Sequence, residues 1–388
     1  MNERGGEMAA VVRYCAGVRD EVLEHIEAAI GAQPALEDLR APLLDYPLRA
    51  AKGLRPALCV AAARALGASR SAALPSAAAL ELLHNAFLIH DDVEDESLAR
   101  RGEPTLQRRY GQATAMNMGD AMLALALGPL LDNTGVIGLG PALEVLDLVR
   151  ETVVVTAAGQ ARELEWIRQG RWDFGSDYAA AYEALVVAKT AHYSFITPVV
   201  VGATIAEVRG DARAQLAAYA RHVGVAFQIT DDLLNLRAAG EPGAYGKESA
   251  GDLWEGKRTL ILLHALHAAG AAERDEALAI LARPRPDPAA LARAELIAEL
   301  HAAGHLDAVA RARLLGEGGD TRFKTEAEVA ALMAVIEARG GLEFAAEVAR
   351  AHGEQALALL GALEPWLEAG EGRDLLAALP RYVIERAR

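Results

Sequence analysis

Two groups of carboxylates are the residues best placed to do chemistry in this sequence. Residues 84–95 read His-Asn-Ala-Phe-Leu-Ile-His-Asp-Asp-Val-Glu-Asp, so an apolar stretch ends in five acids within the six positions from Asp91 to Glu96. Asp91 and Asp95 stand one helical turn apart, and Asp92 flanks them. Like charges at that spacing cost a helix about 0.2–0.5 kcal/mol per pair, and nothing in the neighbouring turns neutralises them all. The second group, Phe227-Gln228-Ile229-Thr230-Asp231-Asp232-Leu233-Leu234-Asn235, repeats the pattern: paired aspartates in an apolar helix, with an oxygen-bearing residue one turn on. Either group alone reads as a solvated helix end. Two with matching spacing read as two helices facing one cavity. Hard oxygen donors without cysteine point to magnesium rather than zinc, and magnesium keeps waters and joins one or two carboxylates to a phosphate.

An acidic chain repels an anion at long range, so it needs local cations to bind one. The formal net charge is −15. Cations stand at Lys52 and Arg55, one turn apart, and at Arg100 and Arg101, just past the first acids. Others are Lys189 beside Thr190, and Lys247 and Lys257 after the second acids. Arginine forks suit phosphate oxygens, and lysine acts as a point charge. Singly, each reads as a solvated surface group. Lys189 differs, because Val186, Val187 and Ala188 look buried and a lysine beside them wants a nearby anion. His84 lies two turns before Asp91 on the same helical face. His264 and His267 read as structural. No Ser–His or Cys–His set for covalent catalysis stands out.

Helices must position these groups. Apolar residues recur at three and four positions for most of the length, as at Leu80, Leu83 and Phe87 and again at Leu260, Leu263 and Leu266. This predicts an all-α protein of about ten or more helices, without strands or solenoid repeats. Asn133–Pro141 and Gly240–Gly251 read as glycine-containing loops. Pro284, Pro286 and Pro288, and later Gly316 to Asp320, interrupt the helical rhythm. About 284–322 therefore reads as an insertion, holding a short helix pair, within one domain spanning 1–388.

The longest uncharged stretch, Thr190 to Ala206, reads as a buried helix kinked at Pro198 rather than a transmembrane segment. The chain is 52% apolar, enough for a sizeable core without disulfide support. Its two cysteines, Cys15 and Cys59, suit a reducing compartment. The opening residues, MNERGGEMAA, hold no apolar stretch of signal-peptide length. Negative net charge argues against a nucleic-acid partner and against docking on anionic lipid. The expectation is a cytoplasmic protein.

In this order and spacing, the motifs resemble those of the trans-isoprenyl diphosphate synthases, or polyprenyl synthetases, in particular the geranylgeranyl-forming ones. The likeness rests on Lys52-x-x-Arg55-Pro56, Asp91-Asp92-x-x-Asp95 with Arg100-Arg101-Gly102, Gly119-Asp120, Gly159-Gln160, Lys189-Thr190, Phe227-Gln228 and Asp231-Asp232. It runs from about Lys52 to Lys257 and resumes more weakly from Lys324 to Arg386. The resemblance implies a single-domain helical bundle around a deep central cavity, and a homodimer. It implies that Asp91, Asp92, Asp95, Asp231 and Asp232 hold Mg2+, three ions with substrate bound, on an allylic diphosphate. Arg100, Lys189, Gln228, Lys247 and Lys257 would assist there. Lys52, Arg55, His84 and Arg101 would hold isopentenyl diphosphate. Gln160 and Thr190 would offer dipoles to an allylic cation, and the departing diphosphate would take the proton.

Three residues depart from the family pattern. Asn235 replaces a common third aspartate, which puts a direct metal bond there in doubt. Gly53 replaces a frequent arginine, and Glu163 an aspartate. For product length, Phe87 lies one turn before Asp91 and Leu83 two turns before it. Phe87 is expected to narrow the tunnel, with small Ala86 leaving a bypass. That predicts a C20 product first and C15 second. A class I terpene cyclase is the nearest rival, but it needs no second diphosphate site, and Asn235 and Ala239 do not fit its second metal motif. A non-catalytic subunit of a two-chain synthase typically loses aspartates that are present here.

Overall fold

The computed structural model describes residues 3–237, 250–286, 288–315 and 323–385. α1 (Glu3–Gly31) and α2 (Arg40–Leu48) flank α3 (Leu54–Ala65) and α4 (Arg70–Glu94). Ser69 caps α4, its hydroxyl accepting the Ala72 N–H at 3.2 Å. Alanine on both α3 and α4 lets these two helices sit close together in the middle of the protein.

Beyond α4 a two-residue ladder pairs β1 (Ala99–Arg100) with β2 (Glu103–Pro104). Arg101 and Gly102 close it at φ 54° and 79°, the left-handed pair a tight hairpin needs. No strand was expected from the sequence, because two residues carry no alternation to read.

α5 (Leu106–Tyr110), α6 (Gln112–Leu125), α7 (Leu127–Val136) and α8 (Leu139–Arg168) follow. Asn133–Pro141, expected as a loop, is instead the end of α7 and the start of α8, separated by Ile137 and Gly138. The reason is local. Asn133 is buried and donates to Ser76 Oγ at 2.9 Å, and Pro141 falls in the first turn of α8, where its missing N–H has no helical partner to lose.

α9 (Tyr178–Val186) runs into a π-helical segment, Val187–Ile196, and then into α10 (Thr197–Ile205). The expected irregularity is therefore present, but it lies before Pro198 rather than at it. Pro198 occupies the first turn of α10, and the widened turns carry Lys189 and Thr190. α11 (Gly210–Arg237) bears the second aspartate pair.

α12 (Gly251–Glu255), α13 (Leu260–Ala268), α14 (Ala271–Leu281), α15 (Pro288–Ala302) and α16 (Ala308–Leu315) come next. The last two form the short helix pair expected within 284–322. Most of the Gly240–Gly251 loop, with Lys247, lies outside the described residues. α17 (Glu326–Ala338) opens on a Thr325–Glu328 capping box and leads to α18 (Gly341–Leu363) and α19 (Glu371–Glu385).

α11 ties two apolar cores together. Leu216, Tyr219 and Val223 join the core built around α1, α3, α4, α10 and α19. Val225, Ile229 and Leu233 join a second core with α13, α17 and α18. Each such buried side chain contributes about 1.5–3 kcal/mol, so the helix carrying Asp231 is anchored on both sides of its acids.

Three stretches, Arg70–Glu94, Gln112–Val136 and Gly175–Ile205, are long and apolar enough to cross a membrane by length and composition. The apolar window of Arg70–Glu94 is 72% buried in the bundle, that of Gly175–Ile205 56% and that of Gln112–Val136 44%.

Candidate active site

The C-terminal end of α4 and the last turns of α11 open onto one cavity of about 320 Å³. Asp91, Asp231, Asp232 and Asn235 line it, as do Arg55, His84, Arg100, Lys189, Thr190, Gln228 and Lys257. Asp95 stands at its mouth, in a wider cleft that shares Glu94, Glu163, Lys257 and Arg258 with the cavity.

Lys189 crosses from the π-helical segment to the acids. Its Nζ is 3.3 Å from Asp91 Oδ1 and also pairs with Glu163 of α8. Burial works against the charge, but Asp91, Glu163 and Asp95 outweigh it and hold the pKa above the ordinary lysine value. Gly159 makes this approach possible. A Cβ there would stand 2.6 Å from the Lys189 amide nitrogen. Glu163, the longer replacement for aspartate, thus meets Lys189.

Lys257 reaches back from the other side. Its Nζ is 3.2 Å from Asp95 Oδ2 and 2.8 Å from Glu255 Oε2. Burial disfavours this ammonium too, and Asp95, Glu255 and Asp252 hold its pKa well above the usual range. Burial pushes the Asp95 carboxyl up, Lys257 pulls it down and Asp91 pushes it up again.

The inner aspartate of each pair is held by a tyrosine. Tyr46 donates to Asp92 Oδ2 at 2.5 Å and accepts the Leu106 N–H at 3.2 Å. Arg100 Nε meets Asp92 Oδ1 at 3.0 Å. Asp92 is 1% exposed and does not line the cavity. Expected as a metal ligand, in this structure it anchors Arg100, whose Nη2 lies 3.5 Å from Asp91 Oδ2. On α11, Tyr182 donates to Asp232 Oδ2 at 2.7 Å and Gln228 Nε2 to Oδ1 at 2.8 Å. Burial, then Asp252, raises the Asp232 pKa against those hydrogen bonds. Gln228 therefore serves Asp232 in this geometry. Asn235 Oδ1 accepts the Asp252 N–H at 3.1 Å, so the oxygen in doubt as a metal donor fastens α12.

Arg100 and Arg101 are positioned by the hairpin. Arg49 Nη1 donates to the Arg100 carbonyl at 2.8 Å, and its Nη2 to the Pro104 carbonyl at 2.8 Å. Arg101 donates to the Tyr46 carbonyl at 2.9 Å. Its pKa is pulled down to about 10 by burial, with Arg55, Arg100 and Arg19 adding and Glu81 opposing. Mutual repulsion among buried arginines is what an anion would relieve.

Arg55 is held on three sides: Nε donates to Ser194 Oγ at 3.1 Å, Nη2 to Tyr193 Oη at 3.1 Å, and Nη1 meets His84 Nε2 at 3.0 Å. A guanidinium only donates, so Nε2 accepts and the His84 proton sits on Nδ1. Burial, with Arg55, Arg101 and Arg100, keeps that ring neutral. Lys52 is exposed, and neither it nor Arg101 lines the cavity. Gly53 has φ 61°, and a Cβ there would stand 2.9 Å from Arg19 Cβ, so this backbone excludes the arginine frequent in the family.

Phe87 and Leu88 are half-buried and line the cavity, whereas Ala86 and Leu83 are packed into the core. The expected bypass at Ala86 is absent from the cavity wall. Gln160 Nε2 donates to Glu94 Oε2 at 2.6 Å, and its Oε1 is buried without a protein partner. His264, expected as structural, bonds Tyr178 and stacks on Phe344 at 4.0 Å.

Sequence reading missed Tyr46, Tyr182, Tyr193, Arg49 and Asp252. Each is a lone residue outside any motif, and only folding brings it to an acid or a cation. Among the described residues, no three His, Cys, Asp or Glu side chains converge tightly enough to hold a metal alone. Carboxylates set across a cavity, all hard oxygens, fit a cation that completes its shell with water and substrate phosphate.

The family model described as polyprenyl synthetase matches residues 37–298, ending within α15. The chain is 32% identical over 341 residues to the (2E,6E)-farnesyl diphosphate synthase of Mycobacterium bovis, across 86% of this chain and 79% of that one. It is 36% identical over 220 residues to the octaprenyl diphosphate synthase of Escherichia coli, across 56% and 62% of the two. The Caulobacter crescentus polyprenyl synthase, crystallised with calcium and isoprenyl diphosphate, superposes with a TM-score of 0.74 at 26% identity over 98% of each chain. By its sequence match and its fold, this chain belongs to the polyprenyl synthetase family.

Proposed function

We propose that this protein is a magnesium-dependent trans-prenyltransferase that condenses isopentenyl diphosphate with an allylic diphosphate, 1'-4, to a C20 prenyl diphosphate. One observation carries the reading: Asp91 and Asp231, from different helices, line one cavity with Lys189, and Arg55 and His84 line the same cavity. That arrangement supplies two anion sites, which a terpene cyclase does not need.

Asp91, Asp95, Asp231 and Asp232 are the carboxylates that would hold Mg2+, in three ions with substrate bound, with Asp92 behind them on Arg100. Bound there, the metal would draw charge from the diphosphate leaving the allylic carbon. Lys189, Lys257 and Arg100 stabilise the same developing charge. Arg55 and His84 hold the isopentenyl diphosphate at the cavity wall, and Arg101 and Lys52 assist from outside that wall. Thr190 and Gln160 present oxygens to the allylic cation without a nucleophile strong enough to trap it. The isopentenyl double bond attacks, and the proton lost passes to the departing diphosphate.

Phe87 on the cavity wall supports a medium product, with C15 the second reading. Exposed apolar residues along α6–α8, among them Met116, Leu131, Leu139 and Leu143, support a homodimer through that face. Burial of the acid-bearing α4 within the bundle supports reading that helix as core rather than a membrane span, and the protein is read as cytoplasmic from its sequence alone. Residues 284–322 are read as an insertion in a single domain.

The test is purified protein with Mg2+, isopentenyl diphosphate and each allylic starter in turn. Geranylgeraniol after phosphatase is the expected product. Cyclic hydrocarbons would make it a cyclase, and silence would make it a partner subunit.

A further inference from the structure

The widened turns of the π-helical segment put Tyr193 on the cavity face, four residues after Lys189. Its two ends do different things. The hydroxyl accepts from Arg55 Nη2 at 3.1 Å, and the guanidinium carbon lies 4.8 Å from the ring centroid. The ring meets Phe87 edge-to-face, with centroids 5.2 Å apart and planes at 78°, and stacks loosely on His84 at 6.0 Å. Phe87 comes from α4 and Tyr193 from the segment opposite, so the two rings close an aromatic wall between them. Packing of this kind adds about 0.5–1.5 kcal/mol beyond simple burial.

We infer that Tyr193 is a specificity-determining residue with two separable parts: its hydroxyl positions Arg55 for isopentenyl diphosphate, and its ring forms with Phe87 the wall at which the prenyl chain stops. This rests on the reading of the cavity as a prenyl-elongating site. It goes beyond that reading by assigning the stop to a pair of rings on two elements rather than to Phe87 alone. The two rings brace each other across the gap, so the wall stands only with both in place and loss of either opens it.

Tyr193→Phe keeps the ring and loses the hydroxyl. It raises KM for isopentenyl diphosphate about tenfold, as loss of one hydrogen bond to a charged group does. KM for the allylic diphosphate and the product length stay as in the wild type. Tyr193→Ala keeps neither part and shifts the dephosphorylated product to a longer prenyl alcohol by at least one isoprene unit. The Phe87→Ala, Tyr193→Ala double variant gives products no longer than the longer of the two singles, since the residues form one wall. Tyr193→Val, which keeps an apolar side chain but leaves most of the ring's space open, decides the matter if the alanine variant does not fold.

Unchanged product length in every folded variant lacking the Tyr193 ring overturns the inference. So does Tyr193→Phe raising both substrate KM values equally. Wild-type protein that elongates nothing would instead refute the reading of the site as a prenyl synthase, and is seen before any variant is made.

Discussion

Lys257 Nζ lies 3.2 Å from Asp95 Oδ2, joining the segment after the second acid group to the third aspartate of the first. The contact spans the mouth of the cavity. It ties the end of α4 to the segment that follows α12 by an ion pair. Lys189 makes the corresponding contact inside, to Asp91.

Lys257→Ala removes the outer pair and leaves Asp95 buried beside Asp91. Loss of one partner of a buried ion pair costs about 3–5 kcal/mol where the other stays charged, and the exposed mouth softens that here. Steady-state assays should show kcat falling by about 10²-fold, with a smaller change in Tm. Unchanged kcat would mean that the lysine serves only the fold.

Gly159→Ala tests the close approach of α8 to the π-helical segment. The added methyl meets Lys189 backbone, which cannot swing away like a side chain. Overpacking of this kind costs about 1–3 kcal/mol, so Tm drops and activity falls further as Lys189 moves. Gly361→Ala is the control. It lies in α18 with nothing within 4 Å of the new methyl, and leaves both quantities at or slightly above the wild-type level.

The acids, the cations and the all-α class were legible in the sequence because charge in an apolar helix stands out at 3.6-residue spacing. The orientation of each acid was not. Asp91 and Asp92 are neighbours, yet one faces the cavity and the other faces Tyr46, and only the packing of α2 against α4 decides which. Asn133–Pro141 was misread for a similar reason. Its glycines signal a loop, and a buried hydrogen bond from Asn133 to Ser76 overrides them. Ala86 reads as a gap on a helical wheel, but in the bundle it faces the core rather than the cavity.

Phe87→Ala enlarges the cavity wall next to Asp91. The dephosphorylated product should lengthen by one or more isoprene units, with little change in KM for isopentenyl diphosphate. Chromatography of the prenyl alcohols reads this directly. An unchanged product would place the stop deeper, among residues that Phe87 does not touch.

Tyr46→Phe and Tyr182→Phe remove the hydroxyls that hold the inner aspartates. Each leaves a buried carboxylate short of one donor, at about 1–3 kcal/mol. Thermal unfolding should show a lower Tm for both. Tyr46→Phe also loosens Arg100, so its KM for the allylic diphosphate rises. Equal Tm values for variants and wild type would mean that water or a neighbour replaces the hydroxyl without loss.

The most direct measurement is Mg2+-dependent release of diphosphate from the allylic substrate by Asp91→Asn, Asp231→Asn and the wild type. Each substitution keeps the shape and removes one negative charge from one side of the cavity. If the two helices act together on one leaving group, either variant alone loses at least about 10²-fold in rate, and the isolated proteins still fold. A wild-type rate in either variant would contradict the shared site.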